Sequence, residues 1–164
     1  MKTINLTKGH VALVDDSDYE QLNQFKWFAW CSRKQPTKFR AFTTVYANHN
    51  KENIAMARLL MGCEKGDGEV LDHIDGNSLN NQRNNLRFAT PTENSVNQKM
   101  LNRTTSLRGV SLDNRLKKAP YVARIRINGK KTHLGTFTSK EEAARAYDAK
   151  ALALYGKFAV LNGV

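Results

Sequence analysis

Two adjacent residues near the middle of the chain, Asp72 and His73, pair a carboxylate with an imidazole. Hydrolysis of a phosphodiester needs both kinds of group. A water must lose a proton near neutral pH, and charge developing on the phosphate and the leaving oxygen must be neutralised. An imidazole can take the proton, and a carboxylate can hold a divalent cation. Asn94, at the start of the next predicted helix, offers an amide oxygen that could complete a metal site opposite Asp72. Asn97, one turn further on, is an alternative. Two protein oxygens, with water and phosphate filling the other positions, suit Mg²⁺ or Mn²⁺. His73 would then remain off the metal as a general base.

The elements that must position these residues can be read from pattern. Val70–Ile74 reads as a strand, 75–84 as a long turn, Leu86–Ala89 as a second strand, and a helix begins at Pro91. Seven asparagines between Glu69 and Gln98 (Asn77, Asn80, Asn81, Asn84, Asn85, Asn94 and Asn97) favour turns over long regular structure. Thr90 and Glu93 form a capping-box pattern, with Pro91 at the first helical position. Adjacent strand residues face opposite ways, so a bend at the strand end is required to bring Asp72 and His73 to one site. Upstream, Ile4–Leu6, Val11–Val14, Lys26–Ser32 and Phe39–Tyr46 are β-prone, with a hairpin turn at Lys8-Gly9. Ser17–Phe25, capped by Ser17, and Asn53–Met61, ending at Gly62, read as short helices.

These central residues carry a family resemblance. Leu71-Asp72-His73-Ile74-Asp75-Gly76-Asn77, then Leu79-Asn80-Asn81, Asn84-Asn85-Leu86-Arg87 and Glu93-Asn94, resemble the HNH endonucleases of phages and mobile introns. The upstream runs Val11-Ala12-Leu13-Val14-Asp15-Asp16 and Arg58-Leu59-Leu60-Met61-Gly62 resemble the usual lead-in. The resemblance implies a ββα-metal fold that nicks or cuts DNA with one divalent ion. It makes His73 the general base, Asp72 and Asn94 metal ligands, and Asn85 a brace of the loop through backbone hydrogen bonds. Similar sequences commonly carry His just before the lead-in arginine, where this chain has Ala57. Arg58 is then a substitute source of positive charge at the phosphate. Arg87 reads equally as a phosphate clamp or as an internal salt bridge.

The charge is lopsided. The whole chain of 164 residues carries a formal +11. Residues 1–100 hold 13 Lys and Arg against 11 Asp and Glu, while residues 101–164 hold 13 against 4. Such a balance points to a polyanionic partner, and the last third is its electrostatic handle. Within it, Arg108–Leu112, Tyr121–Asn128 and Lys131–Phe137 read as strands, with a hairpin turn at Asn128-Gly129. A helix capped by Ser139 runs to about Tyr155 and stops at Gly156. Alternation puts Tyr121, Ala123, Ile125 and Ile127 on one face of the middle strand, to be covered by Ala143, Ala144, Tyr147 and Ala151. Arg124 and Arg126 fall on the other face with Val122, and Lys131 and His133 share one face of the neighbouring strand. A cationic sheet of this width can enter a DNA major groove.

Arg108-Gly109-Val110, Ile125-Arg126, Leu134-Gly135-Thr136-Phe137, Glu141 to Asp148 and Leu161-Asn162 resemble an AP2/ERF domain across about 107–163. That resemblance implies three strands packed on one helix and reading duplex DNA. Arg108 and Arg126 match DNA-contacting positions. Ser111, Arg124 and His133 stand where plant members carry Arg, Glu and Trp, so the plant target sequence does not transfer.

The sequence thus describes an α+β chain with a nuclease region at 1–98 (ββα core about 69–98), a basic linker at 99–106 and a DNA-binding module at 107–164. The expected activity is metal-dependent cleavage of double-stranded DNA by a homing-endonuclease-like enzyme, acting as a monomer or transient dimer. The competing reading is a non-catalytic DNA-binding regulator on a relic nuclease fold. Cys31 and Cys63 are too few for a four-cysteine zinc site and read as reduced thiols. The sequence has no signal-peptide-like start and no apolar run long enough to span a bilayer. The expected setting is therefore the cytoplasm, and the resemblance to mobile-element endonucleases implies a phage source and a bacterial host.

Overall fold

The computed structural model describes residues 1–47, 50–64, 66–97, 104–127 and 129–164. The fold is α+β, with several antiparallel sheets and short helices. Its contacts divide into two compact units, Met1–Pro91 and Thr92–Val164. No described helix is long and apolar enough to cross a membrane.

In the first unit, β1 (Lys2–Asn5) pairs antiparallel with β2 (Val11–Val14). Lys8 and Gly9 turn the chain between them, both with left-handed φ, 61° and 72°. Helix α1 (Asp16–Leu22) starts one residue before Ser17, so the N-cap position falls to Asp15. The carboxylate of Asp15 caps nothing in α1. It accepts instead from Gln82 Nε2 (3.1 Å) and Arg83 N (2.8 Å).

Next come β3 (Trp27–Trp30), β4 (Arg40–Ala47) and β5 (Asn50–Ala55), an antiparallel sheet in that order. The helix expected over 53–61 is only α2 (Met56–Leu60), because Asn53, Ile54 and Ala55 pair with Thr44, Thr43 and Phe42. Strand pairing overrides the weak local helix preference there. The core of this unit gathers Ile4, Val14, Leu22, Trp27, Ala41, Met56 and Leu86. Trp27 is fixed by donating Nε1–H to Leu22 O at 2.7 Å.

Strands β6 (Val70–His73) and β7 (Leu86–Ala89) form a ribbon in which Asp72 faces Arg87 and His73 faces Leu86. Helix α3 (Pro91–Asn97) follows, and its residues from Thr92 onward belong to the second unit.

In the second unit, β8 (Val110–Leu112), β9 (Tyr121–Ile127) and β10 (Lys130–Phe137) lie in the order β10-β9-β8, all antiparallel. Helix α4 (Lys140–Tyr155) packs on this sheet through Ala143, Ala144, Tyr147 and Ala151, as the periodicity predicts. Its capping box is complete: Glu142 N donates to Ser139 Oγ (3.1 Å) and Ser139 N to Glu142 Oε2 (3.3 Å). Strand β8 begins two residues later than expected because Gly109 adopts φ 72° and its carbonyl accepts from Arg124 N at 2.8 Å. The tail is tied back by Asn162, whose Nδ2 donates to Asp148 Oδ1 (2.9 Å) and Arg108 O (3.2 Å). Much of the expected linker, and Asn128 of the expected hairpin turn, lie outside the described residues. Cys31 and Cys63 are free thiols.

Candidate active site and nucleic-acid interface

The loop between β6 and β7 uses its polar side chains in place of a core. Asp75 Oδ1 accepts from Asn77 N (2.7 Å) and Asn85 Nδ2 (3.0 Å), and Oδ2 accepts from Asn80 Nδ2 (2.8 Å). Burial would push the Asp75 carboxyl up, but these hydrogen bonds outweigh it and hold the group below the ordinary carboxylate range. Asn85, 7% exposed, accepts from Asp75 N (3.0 Å) and donates to Asn80 O (2.8 Å). The side chain therefore meets backbone groups at the start and in the middle of the loop. The loop is also pinned to β2, since Leu13 N donates to Leu79 O and Asn81 N to Leu13 O, each at 2.8 Å.

His73 closes β6, and the chain turns at once, with Gly76 N donating to His73 O at 2.8 Å. Its Nε2 lies 3.3 Å from Oδ1 of Asn81, a side chain 1% exposed. Asn81 spends its Nδ2 on Leu79 O at 3.3 Å, which leaves Oδ1 to accept from the imidazole. That contact is consistent with a neutral His73 whose Nε2–H donates to Asn81. Burial pulls the His73 pKa below the ordinary histidine value. Asn81, Asp75 and Asp72 oppose this, and the positive charge of Arg40 reinforces it. The sequence does not flag Asn81 or Arg40. Only the density of asparagine hinted that one of them would face the histidine.

Asp72 points the other way, as strand alternation demands. It is 5% exposed, and its Oδ2 accepts from both Nε (2.9 Å) and Nη2 (2.8 Å) of Arg87. Of the two readings of Arg87, the internal salt bridge is the one present. Arg58 is likewise engaged within its own unit. It donates to Glu69 O (2.9 Å), Asp67 Oδ1 (2.7 Å) and Glu64 O, binding the 64–69 loop to α2. Ala57 is 6% exposed and belongs to the core. Asn94 is half-buried on α3, within the second unit, and the side chain of Asn97 lies outside what the structure describes. Among the described residues, no group of three or more His, Cys, Asp and Glu is placed to hold a metal.

A further cation, Arg83, was not anticipated at all. Its Nε and Nη2 reach the carboxylate of buried Asp18 (2.9 and 2.8 Å to the nearer oxygens), and its Nη1 donates to Leu60 O (3.1 Å). It thereby ties α1 and α2 to the end of the histidine loop.

In the second unit the register sets Arg124 opposite His133 and Arg126 opposite Lys131, with Ser111 opposite Val122. Arg124, Arg126, Lys131 and His133 are exposed. Arg124 Nη1 donates to Ser111 Oγ (3.1 Å) and Arg126 Nη1 to Gly129 O (3.2 Å). Leu134 sits at a bulge, so the pairing resumes at Gly135. Two expectations need correction. Val122, on the arginine face, is 1% exposed, so that end of the face is covered rather than open. Arg108 is 7% exposed, with Nη1 on Val96 O at 2.9 Å. As placed, its guanidinium supports the fold and is not presented to a ligand.

Comparison with known proteins places this geometry. Residues 54–96 match the family model described as HNH endonuclease. Over 94 residues, 57% of this chain, the sequence is 36% identical to an uncharacterized HNH endonuclease, L560, of Acanthamoeba polyphaga mimivirus. Over 45 residues, 27% of this chain, it is 53% identical to Protein 3.8 of Escherichia phage T7. The matches span 47% and 37% of those two relatives, so the chain covers less than half the length of each. The region from α2 through the β6–β7 ribbon to α3 is therefore an HNH-endonuclease-like segment.

Proposed function

We propose that this protein is a divalent-metal-dependent endonuclease of duplex DNA, homing-endonuclease-like, in which residues 107–164 act as an AP2/ERF-like DNA-binding module. The observation that carries the reading is His73, kept toward its neutral form by burial and contacted by Asn81 inside an HNH-endonuclease-like segment.

The carboxylate of Asp72 is the kind of oxygen donor a hard divalent ion takes, and His73 need not be a ligand. When bound, such an ion would neutralise the charge developing on the phosphate and on the leaving 3′ oxygen. Arg87, already on the Asp72 carboxylate, would set the charge balance there. The His73 imidazole takes a proton from water, and the hydroxide attacks phosphorus in line. The P–O3′ bond breaks, leaving a 5′ phosphate and a 3′ hydroxyl that takes its proton from solvent. Asn81 holds the imidazole in place through Nε2, and Asn85 braces the loop through its backbone hydrogen bonds. Arg124, Arg126, Lys131, His133 and Ser111 hold the duplex, which raises the local concentration of substrate. Three strands on one helix with this cationic face support the AP2/ERF-like reading. One site per chain makes a nick the simplest product of a monomer. A double-strand cut requires a transient dimer or two successive nicks.

The second reading is a DNA-binding regulator without cleavage. It is favoured by the engagement of Asp72 with Arg87 and by the buried Ala57 where similar sequences carry His. Supercoiled plasmid incubated with the protein in Mg²⁺ or Mn²⁺, and in EDTA, separates the two. Open-circular or linear product that requires the ion and is lost in His73→Ala supports the nuclease. Tight, salt-sensitive binding with no product under either ion supports the regulator.

A further inference from the structure

The sheet β3-β4-β5 has one buried and one exposed face. Trp27, Ala29, Ala41 and Thr43 turn into the core, each under 7% exposed. Alternation sends Phe28, Trp30, Arg40, Phe42, Thr44, Tyr46, Lys51 and Asn53 to the opposite face. Phe28 stacks with Phe42 at 6.2 Å between ring centroids, and Trp30 meets Phe42 edge-on at 5.6 Å. Yet Trp30 is 46% exposed and Tyr46 77%. Packing alone does not account for an aromatic row left this open.

Its charge narrows the occupant. Arg40 and Lys51 stand on this face in register with Trp30 and Tyr46, and Lys26 precedes β3. None of the face residues is acidic. Lys26, Phe28, Thr44, Tyr46 and Lys51 also border a groove of about 450 Å³. Aromatic rings with interleaved cations and no carboxylate stack bases and neutralise phosphates, the recurrent platform for single-stranded nucleic acid. Spacing also favours a single strand. Side chains two apart on a strand are about 6.7 Å apart. Bases stacked in a duplex rise only about 3.4 Å. A strand following these rows lays its bases out unstacked.

We propose that the outer face of β3-β4-β5 binds unpaired DNA, with bases stacked on Trp30, Phe42 and Tyr46 and phosphates on Arg40 and Lys51. The identification of the nucleic acid as DNA rests on the nuclease reading above. At one end of the face, Arg40 precedes Ala41, which shares a core with Leu86, the strand partner of His73.

The test is fluorescence anisotropy of the full-length protein with labelled dT12 in EDTA, with U12 and a blunt duplex alongside. Wild type should bind dT12, and Trp30→Ala and Tyr46→Ala should each weaken it at least five-fold. Trp30→Phe, which keeps a stacking ring, should restore most of the affinity. Circular dichroism checks that each variant is folded, and quenching of tryptophan fluorescence by dT12 should fall in Trp30→Ala. Absence of dT12 binding by wild type, or equal binding by folded alanine variants, overturns the proposal. Preference for U12 over dT12 overturns the assignment to DNA. Because binding is read in EDTA, failure here is distinct from failure of plasmid cleavage in Mg²⁺.

Discussion

His73 is a base because of what surrounds it, and each neighbour leaves a measurable mark. A general base works deprotonated, so the acid limb of the pH–rate profile reports its pKa. With that pKa lowered by burial, cleavage by the wild type should persist below the ordinary histidine range before it falls. Asn81→Asp puts a carboxylate where an amide oxygen stood, which favours the imidazolium and should move the limb to higher pH. An unchanged limb would show that Asn81 does not act on the base. His73→Ala should lower the cleavage rate roughly 10²–10⁴-fold. Affinity for duplex DNA, read in EDTA by anisotropy, should stay within about two-fold. An equal loss of binding would mean that His73 holds substrate rather than activating water.

At the scale of elements, what was legible in the sequence was what local chemistry decides. The β6–β7 ribbon with its asparagine turn, and α4 with its Ser139 and Gly156 stops, follow from residue preferences over a few positions. Long-range partners were not legible. Asn53–Ala55 became strand because β4 offered hydrogen bonds, and Asp15 ignored α1 because Gln82 and Arg83 lie across the fold. The same limit hid Asn81, whose role depends on β2 holding its loop. It also misplaced Arg108, whose exposure depends on Val96 and Asn162. Gly109 shows how an element can hang on one backbone position. It has φ 72°, and a Cβ there would lie 2.0 Å from Tyr147 Cδ2 and 2.7 Å from Arg124 O. Gly109→Ala therefore suffers both the left-handed penalty, about 1–2 kcal/mol, and a clash with the ring that anchors α4. It should lower the melting temperature by roughly 5–15 °C. Gly129→Ala has the same sign of φ but no atom within 4 Å and should cost distinctly less. Equal melting temperatures for the two would show that Tyr147 gives way freely.

For the molecule as a whole, the uneven charge divides the work. Residues 101–164 hold 13 Lys and Arg against 4 Asp and Glu, while the segment that carries His73 is nearly balanced. Its arginines are also engaged: Arg58 with Asp67, Arg83 with Asp18 and Arg87 with Asp72. Affinity for duplex should therefore come mainly from the exposed cations of β9 and β10. Binding through phosphates releases counterions, so log K falls with log salt by about 0.9 for each phosphate neutralised. Replacing Arg124 and Arg126 together with alanine should weaken duplex binding and reduce the magnitude of that slope by about 2. If one of them reads a base edge instead, its single variant should relax sequence preference and leave the slope nearly unchanged. Cleavage measured against DNA concentration adds an independent reading. Loss of these contacts should raise KM far more than it lowers kcat, because the base His73 lies in the other unit. A fall in kcat of the same size as the rise in KM would place the arginine face at the reacting phosphate and undo this division of labour.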